Sequence, residues 1–222
     1  MLKKDIQEER LLLILGSNIM KVVNLSKENI DEVTEVLCEA FYDYPVMRSV
    51  LGNKVEYDNR LHKLVGFFVS ARALRKDPMF GIYNSENKLV AAAVVTLPGD
   101  NPLPEELKKR REILWSELGS AEQMRYEAYG KVAFSLLPKE PYHHLNMIGV
   151  RNAYQGKGLA RQLINKVEEL VSEHPTSTGV SLNTEVESNV NFYLHLGYAL
   201  VGQTEVDKGI QTWGFFKVKE KK

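Results

Sequence analysis

The chain has 222 residues, of which 44% are hydrophobic, so it is long enough to bury a core and to fold as one compact unit. Its 29 basic and 29 acidic side chains cancel, which excludes an overall field that would attract nucleic acid or a membrane surface. The single cysteine, Cys38, excludes an internal disulfide and a zinc site built on cysteine pairs, and it is typical of a reduced compartment.

The first residues faintly resemble a signal peptide, because Lys3 and Lys4 precede an apolar run at 11–15. That run is too short, and Asp5 interrupts the charge pattern. No other stretch is long and apolar enough to suggest a membrane span. We therefore expect a cytoplasmic protein, with residues 1–18 as an N-terminal extension and residues 19–222 as a single domain.

The spacing of apolar residues predicts alternating helices and strands along the domain. Ser26 is a good N-cap for the first helix, and Pro104 is well placed to start a later one. Strands are predicted at 19–23, 79–83, 89–97, 144–150, 179–184, 198–206 and 210–218. Helices are predicted at 30–41, 57–71, 104–118, 121–136, 159–171 and 189–196.

Two connections predict how the strands pair. The polar turn at 84–88 joins two strands into an antiparallel hairpin. The strand at 144–150, the helix at 159–171 and the strand at 179–184 form one βαβ unit, so these two strands should be parallel neighbours with a right-handed crossover. The predicted fold class is α/β of the α+β kind, a mixed sheet flanked by helices.

The segment from Tyr154 to Arg161 lies where a predicted strand ends and a helix begins. Free backbone N–H groups and the helix dipole point into such a turn, which makes it an anion site. Gly156 and Gly158 let the backbone approach phosphate oxygens, and Lys157 adds positive charge with Arg161. The alternative is that the two glycines only shape a turn.

Two common phosphate loops fail on specific residues. A Walker loop requires Ser or Thr after its Lys, but Gly158 follows Lys157. A dinucleotide fingerprint requires a small residue where Arg161 stands, and only one βαβ unit is visible.

The remaining pattern is Gln/Arg-x-x-Gly-x-Gly/Ala, which Gln155, Gly158 and Ala160 satisfy. With Ile148-Gly149-Val150 before it and Asn-Val-x-Phe-Tyr at 189–193 after it, the pattern resembles the pyrophosphate motif of the GNAT superfamily of acyl-CoA-dependent N-acyltransferases. The resemblance covers about residues 20–218, and its motifs lie in 145–200. It implies a mostly antiparallel sheet with one parallel pair splayed for coenzyme A, and a transferase that uses acetyl-CoA and no metal.

The resemblance also implies which residues bind acetyl-CoA. In related enzymes the pantetheine arm pairs with the backbone of the first parallel strand, and Gly149 is compatible with a bulge that starts the splay. Asn183 and Asn189 flank the groove, although Asn189 could instead cap a helix. The implied cofactor-binding residues are Met147, Ile148, Gly149, Val150, Gln155, Gly156, Lys157, Gly158, Leu159, Ala160, Arg161, Asn183, Asn189 and Phe192.

Acetyl transfer to an amine requires a neutral nitrogen, a stabilised oxyanion and a proton for the departing thiolate. In similar enzymes a tyrosine on the helix after the second parallel strand protonates the sulfur, and Tyr193 matches that position; its alternative role is a core aromatic. Glu185 and His144 are the candidate general bases. Since His143 and His144 alternate along a strand, only one of them can face the groove. No acyl-enzyme or zinc motif is present, so direct attack in a ternary complex is expected.

Phe41, Tyr42 and Tyr44 resemble the region that borders the acceptor in related enzymes, with a plain aromatic core as the alternative. The predicted function is transfer of an acetyl group from acetyl-CoA to the primary amine of a small molecule. Acetylation of protein or peptide amines and a non-catalytic acyl-CoA-binding module stay open, whereas Gly158 and Arg161 disfavour a nucleotide-binding protein. A homodimer is expected by analogy alone.

Overall fold

The computed structural model describes residues 20–52, 55–99 and 103–220. The predicted extension at 1–18, and residue 19 of the first predicted strand, lie outside these ranges. The strands are β1 (Val22–Leu25), β2 (Met79–Tyr83), β3 (Leu89–Thr96), β4 (His143–Val150), β5 (Gly179–Thr184), β6 (Ala199–Asp207) and β7 (Ile210–Val218). The helices are α1 (Ile30–Ala40), α2 (Pro45–Leu51), α3 (Tyr57–Arg75), α4 (Glu105–Leu118), α5 (Ser120–Phe134), α6 (Leu159–Glu173) and α7 (Ser188–His195).

Within the described residues, seven strands form one sheet in the order β1-β2-β3-β4-β5-β7-β6. Neighbouring strands are antiparallel except for β4 and β5, which are parallel. The predicted hairpin and the predicted βαβ unit are both confirmed. The sheet is mixed, mostly antiparallel and flanked by helices, as the sequence predicts.

The parallel strands pair only at their beginnings, where His143 lies opposite Val180 and His144 opposite Ser181. Beyond these two positions no described residue of β4 pairs with β5, and side chains of both strands line a cavity between them. The two strands therefore diverge toward their carboxyl ends, which is the predicted splay.

The irregularity in β4 lies at Asn146 and not at Gly149. Val94 of β3 pairs with Met147 and Val95 pairs with Leu145, which leaves Asn146 as an extra residue. The prediction of a bulge at Gly149 is wrong, because that residue keeps regular pairing. Its glycine serves another purpose: a Cβ there would lie 2.7 Å from the Cβ of Ala40, so glycine lets α1 pack closely on the strand.

The bulge decides which side chains of β4 face which side of the sheet. Leu145 packs in the core beneath α6 and α7, whereas Met147, two positions later, packs in the core of α1 to α4. One extra residue shifts the alternation of a strand to the opposite face. The odd-numbered residues of β4 therefore face one layer before the bulge and the other layer after it.

The chain enters its helices through recognisable signals. Ser26 caps a 3-10 turn, Lys27–Asn29, that leads into α1, and its backbone N–H donates to Asn29 Oδ1 at 3.0 Å. Ser26 is therefore a cap, as predicted, but of this turn; the residue before α1 itself is Asn29. Helix α2 was not expected, because Tyr44-Pro45 has the pattern of a break, but proline is well suited to a first helical position and Pro45 begins this helix.

Candidate functional site

Two connected spaces lie in the gap between β4 and β5. The inner cavity has a volume of about 170 Å³ and lies between the two strands, α3 and α5. The outer groove has a volume of about 620 Å³ and runs along the loop from Tyr154 to Arg161. They share the lining residues Phe41, Tyr44, Ile148, Asn189 and Tyr193. A molecule in the groove can therefore contact one in the cavity at these side chains.

The loop at the groove presents unpaired backbone donors. Gly156 and Gly158 have φ angles of +73° and +75°, in the left-handed region that favours glycine. The N–H groups of Gly156, Lys157 and Gly158 donate to no described residue, and the first turn of α6 adds further free N–H groups. A Cβ at either glycine would meet nothing within 4 Å, so the space before the loop is open. These features fit a pyrophosphate.

The predicted cofactor residues do not all lie together. The residues that line the outer groove are Ile148, Gly149, Val150, Gln155, Gly156, Gly158, Leu159, Ala160, Arg161, Asn189 and Phe192. Met147 and Asn183 line the inner cavity instead. Lys157 lines neither, and its ammonium lies 4.6 Å from the ring centre of Tyr154.

Asn189 does not cap its helix. The residue before α7 is Glu187, and the Asn189 side chain donates from Nδ2 to Thr184 Oγ1 at 3.2 Å. The capping interpretation of Asn189 is therefore wrong, and its amide lies where the two spaces meet.

The inner cavity is rich in aromatic residues. Its phenylalanine and tyrosine rings are Phe41, Tyr44, Phe68, Tyr126, Tyr129, Phe134 and Tyr193. Of the three predicted acceptor residues, Phe41 and Tyr44 line this cavity. Tyr42 does not: it is 41% exposed, packs edge-on against Tyr57, and lies beneath the guanidinium of Arg48.

Glu185 is a buried carboxylate held by three hydroxyl groups. Its Oε2 accepts a hydrogen bond from Tyr44 at 2.8 Å, and its Oε1 accepts from Thr212 at 2.6 Å and from Tyr129 at 3.2 Å. Burial raises the pKa of this carboxyl, and the three hydroxyl donors oppose that shift by stabilising the charged form. Because the three donors fix the carboxylate in the cavity wall, it can accept a proton without reorienting.

Tyr193 lies at the junction of the two spaces with its hydroxyl unengaged by any described residue. Burial, and next the charge of Glu185, raise the pKa of the phenol well above its ordinary range. The ring packs 5.5 Å from Phe215 and 5.9 Å from Tyr198. The ring thus belongs to the core, while the protonated hydroxyl is available at the junction.

The two adjacent histidines face opposite sides of the sheet, as predicted. His144 lines the inner cavity, whereas His143 contacts Ser177 at 2.8 Å behind the sheet. Burial lowers the pKa of both imidazoles to about 4. His144 is therefore a weaker base than an exposed histidine.

The buried His143 should make the stability of the fold depend on pH. The unfolded chain takes up a proton near pH 6.5 that the folded imidazole accepts only near pH 4, so stability falls as pH decreases across that interval. We expect the free energy of unfolding to drop by about 2 kcal/mol between pH 7.5 and pH 5 from this group. Urea titrations at both pH values measure the free energy of unfolding. His143→Asn should remove this part of the loss of stability. His195→Asn, at an exposed position, is the control and should leave the loss unchanged.

Several residues at the site carry no signal in the sequence. Tyr129 on α5, Arg72 on α3 and Asn146 on β4 line the inner cavity, and Thr212 on β7 donates to Glu185 from behind its wall. No motif connects them, and only the packing of the helices on the sheet brings them together. Among the described residues, no group of three His, Cys, Asp or Glu side chains could hold a metal ion. No helix in the described ranges is long and apolar enough to cross a membrane.

Comparison with known sequences supports a specific family. The sequence model of the acetyltransferase (GNAT) domain matches residues 120–217. Among curated proteins, a probable serine/threonine-protein kinase of Dictyostelium discoideum is 29% identical over 199 residues, which cover 82% of this chain. The chain spans about a fifth of that relative, 21% of its length.

Solved structures with the same architecture include three acetyltransferases. A histone acetyltransferase and related acetyltransferase from Corynebacterium glutamicum has a TM-score of 0.71 at 17% identity, covering 91% of this chain and 98% of that one. Arylalkylamine N-acetyltransferase 2 of Aedes aegypti has a TM-score of 0.60 at 18% identity, covering 91% and 100%. A polyamine N-acetyltransferase of Drosophila melanogaster has a TM-score of 0.56 at 16% identity, covering 90% and 100%. At these identities the likeness establishes the fold.

Proposed function

Because the chain carries a GNAT acetyltransferase domain, we propose that it transfers the acetyl group of acetyl-CoA to the primary amine of a small molecule by direct attack in a ternary complex. One observation carries the proposal. The groove along the anion-binding loop meets the aromatic cavity at Tyr193 and Asn189, beside the buried Glu185. The site therefore has a place for a donor, a place for an acceptor, and titratable groups where the two would meet.

The groove residues suit the cofactor's chemistry. The free N–H groups of residues 156–158 and the positive start of α6 would hold the pyrophosphate. The backbone of β4 from Ile148 to Val150, which has no partner strand on the side of β5, would pair with the pantetheine arm. When bound, acetyl-CoA supplies a thioester carbonyl and a thiolate leaving group.

The cavity residues supply the proton transfers. Glu185, with a pKa raised by burial, is placed to take a proton from the incoming ammonium directly or through a water. Tyr193, whose hydroxyl is protonated at neutral pH, is placed to give a proton to the leaving sulfur. A module that only bound acyl-CoA would not need a carboxylate buried against three hydroxyls, so we favour catalysis over that alternative.

The size of the cavity favours a small acceptor. An engineered apolar cavity of about 150 Å³ holds a benzene molecule. The inner cavity, at about 170 Å³, has room for a small ring or a short chain. The names of two similar structures, an arylalkylamine and a polyamine N-acetyltransferase, are consistent with an acceptor of this kind.

The proposal is tested by acetyl-CoA calorimetry followed by thiol release on a panel of small amines and N-terminal peptides. We expect binding of acetyl-CoA and turnover with at least one small amine. Turnover on peptides alone would replace the small-molecule acceptor with a protein acceptor. Binding without turnover on any amine would favour the non-catalytic module, and absence of binding to any acyl-CoA would refute the proposal.

The conformation of the loop provides a sharper test of the groove. Gly158→Val places a branched side chain at a φ of +75° beside the groove, so we expect the Kd for acetyl-CoA to rise by about 10-fold or more as the loop shifts. Gly209→Val is the matched control, because Gly209 also has a φ of +75° and open space but lies in the turn between β6 and β7. Equal Kd values for the two variants would show that the loop does not bind the cofactor.

A further inference from the structure

The inner cavity contains a positive charge that the proposed chemistry does not use. Arg72, near the end of α3, lines the cavity and donates from Nε to Asn146 Oδ1 at 3.0 Å. None of the described carboxylates forms an ion pair with its guanidinium, and its remaining nitrogens donate to no described residue. The nearby carboxylate of Asp77 is paired with Arg75 at 3.0 Å.

Asp77 offsets part of the charge of Arg72, but the free donors of this half-buried guanidinium stay available to an anion in the cavity. The guanidinium would also repel an ammonium group placed beside it. An acceptor with a single positive charge would therefore bind well near Glu185 and poorly near Arg72. Close to Arg72, a negatively charged group would be stabilised by charge and by hydrogen bonds.

The positions of the two charges differ in depth. Glu185 contacts Tyr44, which lines both spaces, so it lies toward the groove. Glu185 lines the inner cavity and not the groove, as do Arg72, Asn146 and His144. His144 lies where β4 and β5 still pair, and Arg72 contacts the same strand two residues later, at Asn146. Asn146 is two residues past His144, and Glu185 is four residues past the partner of His144, Ser181. At about 3.3 Å per residue the offset along the strands is roughly 7 Å.

A second polar group at this deep end also lacks a partner. The Nδ1 atom of His144 is buried with no hydrogen-bond partner among the described residues. Aromatic rings separate this end from Glu185. Tyr126 lies close enough to Arg72 to interact with its charge, Tyr129 donates to Glu185, and the centroids of these two rings are 6.5 Å apart. The cavity thus has a negative group at Glu185, aromatic rings beside it, and a positive end with free donors.

We propose that the acceptor is an amino acid whose amine and carboxylate are separated by an apolar spacer, with the amine at Glu185 and the carboxylate at Arg72. This inference rests on the proposed function and adds the class of acceptor to it. The offset along the strands between Glu185 and Asn146, the residue that Arg72 contacts, favours a spacer of several atoms over the single carbon of an α-amino acid. Arg72 selects which acceptor binds and takes no part in the acetyl transfer itself.

The test compares two ligands that differ only at the group facing Arg72, 4-(aminomethyl)benzoate and 4-methylbenzylamine. Calorimetry on the protein saturated with coenzyme A measures both without requiring turnover. We expect the carboxylate ligand to bind at least 10-fold more tightly to the wild-type chain. Arg72→Gln should raise its Kd by about 10- to 100-fold, the effect of losing a hydrogen bond to a charged group, and change the methyl ligand less than 3-fold.

Arg72→Lys separates this role from a structural one. If Arg72 only supports the bulge at Asn146, the Lys variant should affect both ligands equally, as should Arg72→Gln. If Arg72 binds the carboxylate, Lys should restore part of the preference because it keeps the charge. A wild-type chain that binds the methyl ligand as tightly as the acid would overturn the inference, whether or not the variants fold.

Failure of this inference differs from failure of the proposed function. Turnover of plain amines with no preference for a carboxylate would leave the acetyltransferase intact and remove the amino-acid acceptor. Tight binding of the acid without acetylation of any amine would instead contradict the proposed function. Binding and thiol release, measured on the same preparation, distinguish the two.

Discussion

Replacing Glu185 with Gln is expected to lower kcat/KM for the amine acceptor by about 10²- to 10⁴-fold, the usual contribution of a general base. The amide has nearly the same shape, so the hydroxyls of Tyr44, Tyr129 and Thr212 keep their neighbour. What the variant loses is the ability to take the proton from the ammonium. Steady-state thiol release at pH 7.5, with the acceptor found in the panel, measures the change.

The pH profile shows whether the loss arises from proton transfer. Because burial raises the pKa of Glu185, wild-type activity should decline as pH falls toward the acid range and this carboxyl becomes protonated. In Glu185→Gln the rate should instead follow the neutral fraction of the amine, so the deficit shrinks as pH approaches the pKa of the amine itself. Glu187→Gln, at an exposed residue before α7, is the control and should change kcat/KM less than 3-fold. A Glu185→Gln deficit that is constant with pH would contradict the assignment.

The turn from Tyr154 to Arg161, between β4 and α6, could be predicted because all its information is local. Gly156 and Gly158 adopt left-handed backbone angles, and few other residues tolerate them. The strand before the loop, the helix after it and the next strand have clear apolar patterns. The crossover rule therefore predicts that the two strands, β4 and β5, are parallel. The strands β5 and β7 match their predicted ranges, 179–184 and 210–218. Local signals and topology rules agree in this part of the chain.

The bulge in β4 and helix α2 could not be predicted, because both depend on tertiary contacts. Asn146 has no special backbone preference; its place as the extra residue is fixed by Thr96 and Arg72, which both donate to its side-chain oxygen. A bulge was predicted at Gly149 because glycine is common at bulges. In the structure this glycine instead makes room for α1. Tyr44-Pro45 suits either a break or a helix start, and the buried side chains of Val46 and Val50 decide between them.

The wall of the inner cavity depends on contacts that span the chain. Thr212 lies 27 residues from Glu185 in sequence and Tyr44 lies 141 residues away, yet both donate to its carboxylate. A sequence pattern cannot encode such contacts without knowledge of the packing. Tyr42 illustrates the same limit, since it shares a segment with Phe41 and Tyr44 but turns outward to Arg48. The groove along the loop is built from local sequence, whereas the inner cavity depends on tertiary packing.

Replacing Tyr193 with Phe is expected to lower kcat by about 10²-fold or more while changing the Kd for acetyl-CoA less than 3-fold. The ring contacts with Tyr198 and Phe215 remain in this variant, so the core around α7 should stay intact. Only the hydroxyl at the junction of cavity and groove is lost. Single-turnover measurements of thiol release, together with calorimetry of acetyl-CoA, separate the chemical step from binding.

Tyr198→Phe is the matched control for this change. Tyr198 belongs to the same aromatic cluster and is equally buried, but it lines neither the inner cavity nor the outer groove. If the hydroxyl of Tyr193 protonates the leaving sulfur, Tyr198→Phe should retain kcat within about 3-fold, because general acid catalysis requires contact with the reacting group. Equal losses in the two variants would mean that Tyr193 acts through packing. An unchanged kcat in Tyr193→Phe would contradict the assignment of Tyr193 as the proton donor.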